Sequence, residues 1–152
     1  MGNKRMIINW ILLIAWMLLI FLMSNQPAHI SNQQSNSFIN MLAFFGIDLN
    51  SKLGSLASFV VRKTAHFTEY AVLGFFTYKA VSCDVKDRKK AVLMAQLIST
   101  GYASTDEIHQ MFVPGREGKV FDVMIDSCGA FCGIMVSLIT QKLIEKKKGN
   151  QI

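Results

Sequence analysis

The 152-residue sequence predicts an all-α fold, an integral membrane bundle of four transmembrane helices with a short interfacial helix in the first outer loop. Hydrophobic residues make up 51% of the chain and charged residues only 17%, and the charges are segregated from the apolar runs. Those runs approach the ~20 residues that a helix needs to cross a bilayer core of ~30 Å. The length suggests a single domain over residues 1–152. A net charge of +6 with so little polar surface argues against a nucleic-acid partner.

The first predicted span covers residues 6–23, a run without a charge that follows Lys4 and Arg5. At about 1.5 Å per residue, a helix of this length can cross the membrane core. A signal peptide is the alternative, because it also has a basic start before an apolar run. The run is longer than a usual signal core, and residues 24–27 lack a small-x-small cleavage pattern, so a retained anchor is favoured.

Three less purely apolar spans are predicted over residues 64–83, 91–112 and 120–143. Amphipathic helices of a soluble protein are the alternative interpretation. The stretches 71–76 and 129–139 are apolar on all helix faces, which favours contact with lipid or deep burial.

The connections on the outer side differ in length. Residues 24–63 form a long loop that begins with a polar run and contains an amphipathic segment, 37–46, whose apolar residues recur at helical spacing. Such a segment is typical of a helix that lies on the membrane surface. Residues 113–119 form a short connection, and Pro114-Gly115 predicts a turn there.

Lysine and arginine residues are unevenly divided between the two sides of such a bundle. With four spans, ten fall on the side of both termini and of the connection between the second and third spans, and five fall on the other side. Cytoplasmic segments carry the excess of basic residues. We therefore expect a multi-pass protein with its N- and C-termini in the cytoplasm.

Polar and ionisable residues gather in the outer third of the last three spans, as judged from the helix rise of about 1.5 Å per residue, and basic residues lie at the mouth of the second span and on the short outer loop above them. The set comprises Arg62, Lys63, His66, Glu69, Tyr70, Asp106, Glu107, His109, Gln110, Arg116, Asp122 and Asp126. Ionisable residues inside a membrane are costly and usually mark a functional site. The alternative is that the carboxylates pair with the basic residues and only hold the bundle together.

Residue types divide this set into candidate roles. The candidates for acid, base or proton transfer are His66, Glu69, Asp106, His109 and Asp122. The candidates for ligand binding are Arg62, Lys63, Tyr70, Glu107, Gln110, Arg116 and Asp126. Arginine and lysine suit an anionic phosphate group.

A metal site is a further hypothesis, because two His–carboxylate pairs have helical i, i+3 spacing. These pairs are His66 with Glu69 and Asp106 with His109. Di-metal bundles use Glu-x-x-His pairs in this way. Four nearby cations disfavour a bare metal, so the cofactor is left open, with a divalent metal as one alternative.

Gly129 and Gly133 form a GxxxG motif on the fourth span. Small residues at this spacing let another helix approach closely. That helix could belong to the same bundle or to a second copy in a homo-oligomer.

Three sequence blocks resemble the VanZ-like membrane proteins, a family first associated with teicoplanin resistance. The blocks are residues 63–70 (KTAHFTEY), 106–116 (DEIHQMFVPGR) and 122–129 (DVMIDSCG), followed by Gly133. The resemblance implies a small integral protein of the bacterial cytoplasmic membrane with a link to glycopeptide susceptibility. Asp126 stands where the family commonly has Asn, which puts the role of that position in doubt.

Two classes of function follow. The first is a binding protein whose outward-facing polar pocket engages an anionic lipid, a lipid-linked cell-wall intermediate or a lipoglycopeptide. The alternative is a membrane-embedded hydrolase or transferase that acts on a lipid-linked phosphate or ester through the His and carboxylate cluster, with metal assistance as an option. Whether the protein is an enzyme is left open.

Overall fold

The computed structural model describes residues 2–149, and within that range the chain is helical and has no strand. Six α-helices follow one another: α1 (Gly2–Ser24), α2 (Ala28–Phe44), α3 (Leu49–Leu53), α4 (Ala57–Asp84), α5 (Arg88–Gln110) and α6 (Val120–Gly149). A single 3₁₀ turn, Gly54–Leu56, joins α3 to α4. The predicted all-α class is confirmed.

The four long helices, α1, α4, α5 and α6, occupy the four predicted spans. Of the described helices, α1 over Asn3–Ser24 and α6 over Val120–Lys148 are long and apolar enough on their own to cross a membrane. Helices α4 and α5 carry most of the polar residues, which lowers their hydropathy. A crossing by all four helices therefore stays a prediction.

Helix α1 has two apolar faces with different surroundings. Leu13 and Ile20 are buried against the other helices. The opposite face exposes a row of aliphatic side chains at helical spacing, namely Ile7, Ile11, Ile14, Leu18 and Leu22. A row of this kind requires an apolar medium or a partner rather than water.

Helix α4 lies at the centre of the bundle and contacts every other helix. Near its middle, Tyr70 and Leu73 pack against α1 and α5. Toward its C-terminal end, Tyr78 and Val81 pack against α5 and α6, where Ala95 leaves room for a close approach.

The closest helix pair is α4 with α6, and small residues on both helices permit it. A side chain at Gly129 or Gly133 would overlap the backbone of α4 at Phe67 or Ala71, and a side chain at Gly74 would overlap the backbone of α6 at Ala130. The GxxxG motif is thus covered within the chain, as its packing interpretation predicts. Homo-oligomerisation through it stays a prediction.

Helix α2 is longer than the predicted amphipathic segment, 37–46. It begins at Ala28 and includes the polar run rich in Asn, Gln and Ser. The buried residues Ser35 and Ile39 face inward, and α2 packs along α4. The Asn, Gln and Ser residues at the start of α2 have a weak helix propensity. Packing against α4 explains why they are helical, because tertiary contacts override such a propensity.

Enlarging Gly133 tests the α4–α6 contact. Gly133→Val is expected to destabilise the protein by about 1–3 kcal/mol, because the added atoms must displace the backbone of α4 at Ala71. The matched control is Gly101→Ala on α5, where an added Cβ meets no atom within 4 Å. In detergent, the midpoint temperature of thermal unfolding should fall for Gly133→Val only. Equal midpoints for the two variants would contradict the close packing of α4 against α6.

Candidate functional site

An ion pair joins α4 to α6 near the N-terminal ends of both helices. Lys63 Nζ lies 2.5 Å from Asp122 Oδ2, and the two side chains are only 18% and 14% exposed. The backbones can approach here because α6 carries glycine about two and three turns further along, at Gly129 and Gly133. A charge-assisted hydrogen bond shielded from water is stronger than one on the surface.

Two neighbouring carboxylates of α5 face inward and have different partners. Asp106 Oδ2 accepts a hydrogen bond from Gln110 Nε2 at 3.1 Å. Tyr70 and Ser24 face the same carboxylate, although neither hydroxyl has a hydrogen-bond partner among the described residues. Glu107 Oε2 accepts the backbone N–H of Lys119 at 2.9 Å and so fastens the start of α6 to α5.

The buried and half-buried polar residues Lys63, Tyr70, Asp106, Glu107, Asp122 and Asp126 lie close together between α4, α5 and α6, and we call them the polar layer. Asp126 on α6 is its most buried acid. It is 1% exposed, and neither of its oxygens has a hydrogen-bond partner among residues 2–149. Its charged neighbours are Glu107, Asp106, Asp122 and Lys63. A buried carboxylate without a partner costs free energy, and this is the position where the family resemblance implies Asn instead.

The two histidines of the predicted site face different parts of the molecule. His66 Nδ1 lies 3.7 Å from Glu69 Oε2, one turn along α4. His109 instead stacks on Phe21, with 4.7 Å between ring centroids, and its Nε2 lies 3.3 Å from Asn25 Oδ1. The sequence grouped both histidines in one cluster, whereas the structure directs His109 toward α1.

A turn between α5 and α6 positions Arg116. The Arg116 N–H donates to the Val113 carbonyl at 3.1 Å, and Gly115 has a φ of 75°, which is typical of a type II turn with Pro at its second position. Arg116 Nε donates to the Gln26 carbonyl at 2.9 Å. Partial burial lowers the pKa of the Arg116 guanidinium, but an arginine keeps its charge at physiological pH.

Two cavities meet at this layer. The larger, about 630 Å³, lies between α1, α2 and α4 and has an apolar wall that includes Phe38, Leu42 and Val60. The smaller, about 340 Å³, has a polar wall that includes Lys63, Lys119 and Asp122. Their walls share Arg62, His66 and Arg116. An apolar space therefore adjoins a cationic one, and the three shared residues stand at the boundary.

The ligand-binding candidates divide between these walls. Arg62 and Arg116 line both cavities, and Lys63 and Gln110 line the polar one; Glu69, a candidate for proton transfer, lines the apolar one. Tyr70, Glu107 and Asp126 lie behind the walls as buried residues of the layer. Trp16 and the polar face of α2 also line the larger cavity, and the sequence did not predict this. The helical spacing of Phe38 and Leu42 signalled an apolar face, but not that the face lines a cavity.

The metal hypothesis gains no support from the geometry. Within the part of the chain from residue 2 to residue 149, no three His, Cys, Asp or Glu side chains are grouped so as to hold a metal ion. His109 points away from the other three candidates, His66, Glu69 and Asp106.

Two apolar helices of membrane-spanning length are typical of a helical membrane protein, and a buried polar layer lies beside an apolar cavity. A family model described as VanZ/LLP1 matches residues 9–141. The chain therefore belongs to the VanZ/LLP1 family, which confirms the predicted resemblance. Comparison with curated proteins and with solved structures finds no match to this chain.

Breaking the Lys63–Asp122 pair tests whether it holds the layer together. Lys63→Met and Asp122→Asn are each expected to lower the free energy of unfolding by about 1.5–3 kcal/mol, because each leaves a shielded charge without its partner. The double variant should lose less free energy of unfolding than the two single variants lose together, because the effects of substituting residues in contact are not additive.

The matched control is Glu117→Gln. Its partner Lys119 lies at 3.0 Å, but both side chains are mostly exposed to solvent, so little change is expected. Additive losses at Lys63 and Asp122 in chemical denaturation would show that the pair is not a unit.

Proposed function

We propose that this VanZ/LLP1 protein is a multi-pass protein of the bacterial cytoplasmic membrane that binds an anionic amphiphile in the joined cavities at its outer end. The amphiphile would be an anionic phospholipid, a lipid-linked cell-wall intermediate or a lipoglycopeptide. The observation that carries the proposal is the shared wall of an apolar cavity and a cationic cavity at Arg62, His66 and Arg116.

The proposed topology has four crossings and both termini in the cytoplasm. Helices α1, α4, α5 and α6 have 23, 28, 23 and 30 residues, each at or above the ~20 that a crossing needs. Ten of the 16 Lys and Arg residues then fall on the cytoplasmic side. The polar layer and both of its cavities would open toward the outer leaflet.

Cysteine accessibility tests this topology. In a background with Cys83, Cys128 and Cys132 replaced, Lys52→Cys is expected to react with a membrane-impermeant maleimide on intact cells, because α3 lies in the outer loop. Lys89→Cys at the start of α5 should react only after the cells are permeabilised. Labelling of the second variant on intact cells would contradict both the four crossings and the outward site.

The two arginines are suited to bind a phosphate group. Neither forms an ion pair with a carboxylate within residues 2–149. Arg62 Nη1 donates to Asn32 Oδ1 at 3.0 Å, and Arg116 Nε donates to the Gln26 carbonyl. Each guanidinium is thus held through one nitrogen, and the remaining N–H groups can donate to an anion in the planar fork that phosphate favours.

The two lysines of the rim contribute less charge than the sequence suggests. Lys63 is neutralised by Asp122 at 2.5 Å, and Lys119 lies 3.0 Å from Glu117. The free positive charge at the cavity boundary is therefore concentrated on Arg62 and Arg116. One phosphate or diphosphate group would balance it.

The larger cavity suits the hydrocarbon part of the same ligand. Most of the surface of its wall is apolar, and Arg62 and Arg116 contribute charged groups to the same wall. Helix α2 forms one wall, so the outer loop would cover the ligand as well as anchor the protein. The family's association with teicoplanin-type resistance agrees with a ligand from the envelope, since that drug also joins an acyl chain to a polar body.

Binding to the Arg116→Ala variant tests the proposal. The purified chain in a nonionic detergent would be titrated with a polyprenyl phosphate, with phosphatidylglycerol and with teicoplanin. Arg116→Ala is expected to weaken binding of at least one of these about tenfold or more, because it removes a charged hydrogen-bond donor at the cavity boundary.

Lys52→Ala is the matched control, since it removes an exposed positive charge of the same outer region that lines neither cavity. Its affinity should equal that of the unmodified protein. Ala65→Phe reduces the volume of the larger cavity. It should therefore weaken the binding of long-chain ligands more than the binding of short-chain ones. Unchanged binding by both Arg62→Ala and Arg116→Ala would refute the proposal.

A further inference from the structure

A third cavity lies at the opposite end of the bundle from the polar layer. It has a volume of about 430 Å³ and is lined by residues of α1, α4 and α6 and of the connection from α4 to α5. Four basic residues contribute to its wall: Arg5 from α1, Lys79 from α4, Lys86 from the connection to α5, and Lys148 from α6. Four separate segments thus bring a positive charge to one space.

The acidic residue in this wall does not balance those charges. Glu145 lines the cavity, but its carboxylate pairs with Arg88 of α5 and lies near the Gln141 amide at 3.4 Å. None of Arg5, Lys79, Lys86 and Lys148 forms an ion pair with a carboxylate in the described range, residues 2–149. The wall therefore carries a surplus of positive charge.

Lys79 is the most enclosed of the four. Its side chain is half-buried, and its ammonium lies 5.1 Å from the centre of the Phe75 ring. An aromatic ring stabilises a cation only in part, and an unpaired charge away from water is costly. An anion held in the cavity would offset that cost.

Hydrogen bonds fix the position of Lys79 and of the cavity wall beside it. The buried Asn9 of α1 donates through Nδ2 to the Lys79 carbonyl at 3.1 Å and contacts Cys83 Sγ at 3.3 Å. Ser82 and Thr140 add hydroxyl groups to the wall. The cavity thus combines fixed polar groups with positive charges on flexible stems.

We propose that this cavity is a second anion site, which binds a phosphate group in an ester or a diphosphate. The charges suit this chemistry, because Arg and Lys donate charge-assisted hydrogen bonds to phosphate oxygens. The site is separate from the outer one, since Arg62 and Lys79 lie 17 residues apart on α4, or about 25 Å by helix rise. It therefore does not depend on the proposed function of the outer cavities.

Two sources could supply such a group: a phospholipid headgroup and a soluble phosphate compound. Equilibrium binding to the purified full-length chain distinguishes them, with radiolabelled inorganic pyrophosphate as the soluble probe and radiolabelled short-chain phosphatidic acid as the lipid probe. Both probes would be measured in an Arg116→Ala background, so that the outer site contributes little. Saturable binding of pyrophosphate indicates a soluble ligand, and binding of the lipid alone indicates a headgroup.

Lys79→Met and Lys86→Gln are each expected to weaken this binding about tenfold, since each removes one charged hydrogen-bond donor. The matched control is Lys89→Gln, an exposed basic residue at the same end of the molecule that does not line the cavity. It should bind with unchanged affinity. Lys86 is exposed and makes no ion pair among the described residues, so Lys86→Gln is expected to fold and provides the test if Lys79→Met unfolds.

The proposal is overturned if neither probe binds saturably, or if Lys89→Gln weakens binding as much as the two cavity variants do. The outer proposal fails separately, through unchanged binding by Arg62→Ala and Arg116→Ala. A loss confined to Lys79→Met and Lys86→Gln would support the inner site even if the outer proposal were refuted.

Discussion

The close approach of α4 and α6 is the constraint on which the rest of the site depends. Gly74, Gly129 and Gly133 let the two backbones touch, and a Cβ at any of them would overlap the facing helix. Because the helices are this close, the ammonium of Lys63 reaches Asp122 without crossing apolar space. The glycines thus determine where the polar layer forms, although none of them carries a functional group.

The polar layer combines linked contacts with buried polar atoms that have no partner. Lys63 and Asp122 join α4 to α6, and Glu107 holds the backbone of Lys119 at the start of α6. Among the described residues, both carboxylate oxygens of Asp126 and the Tyr70 hydroxyl are buried without a hydrogen-bond partner. An unpaired buried acid adds no stability to such a network, so the contacts of Lys63 and Glu107 join the helices and Asp126 does not contribute to that joining.

Much of this arrangement could be predicted from the sequence because its signals are local. The apolar run of α1 has the length of a membrane span, and carboxylates within apolar stretches are costly enough to mark a site. The turn that aims Arg116 was visible as Pro114-Gly115, since glycine favours the positive φ found there.

The rest depends on how the helices rotate and pack against one another. Local sequence patterns and residue spacing do not reveal this packing. His109 shares a helix with Asp106, yet the rotation of α5 directs its ring to Phe21 and Asn25. Helix α2 reaches back to Ala28 because it packs on α4, whereas its Asn, Gln and Ser residues alone favour a loop. The two cavities are properties of that packing, so their shared wall could not be predicted from residue spacing.

A structure of the protein with its native lipids retained tests the central claim most directly. The account predicts density for one amphiphile that runs along Phe38 and Val60 and ends in a phosphate group between Arg62 and Arg116. Ordered lipid along only the outer faces of α1 and α6, with both arginines turned onto Glu69 and Asp106 as ion pairs, would contradict it.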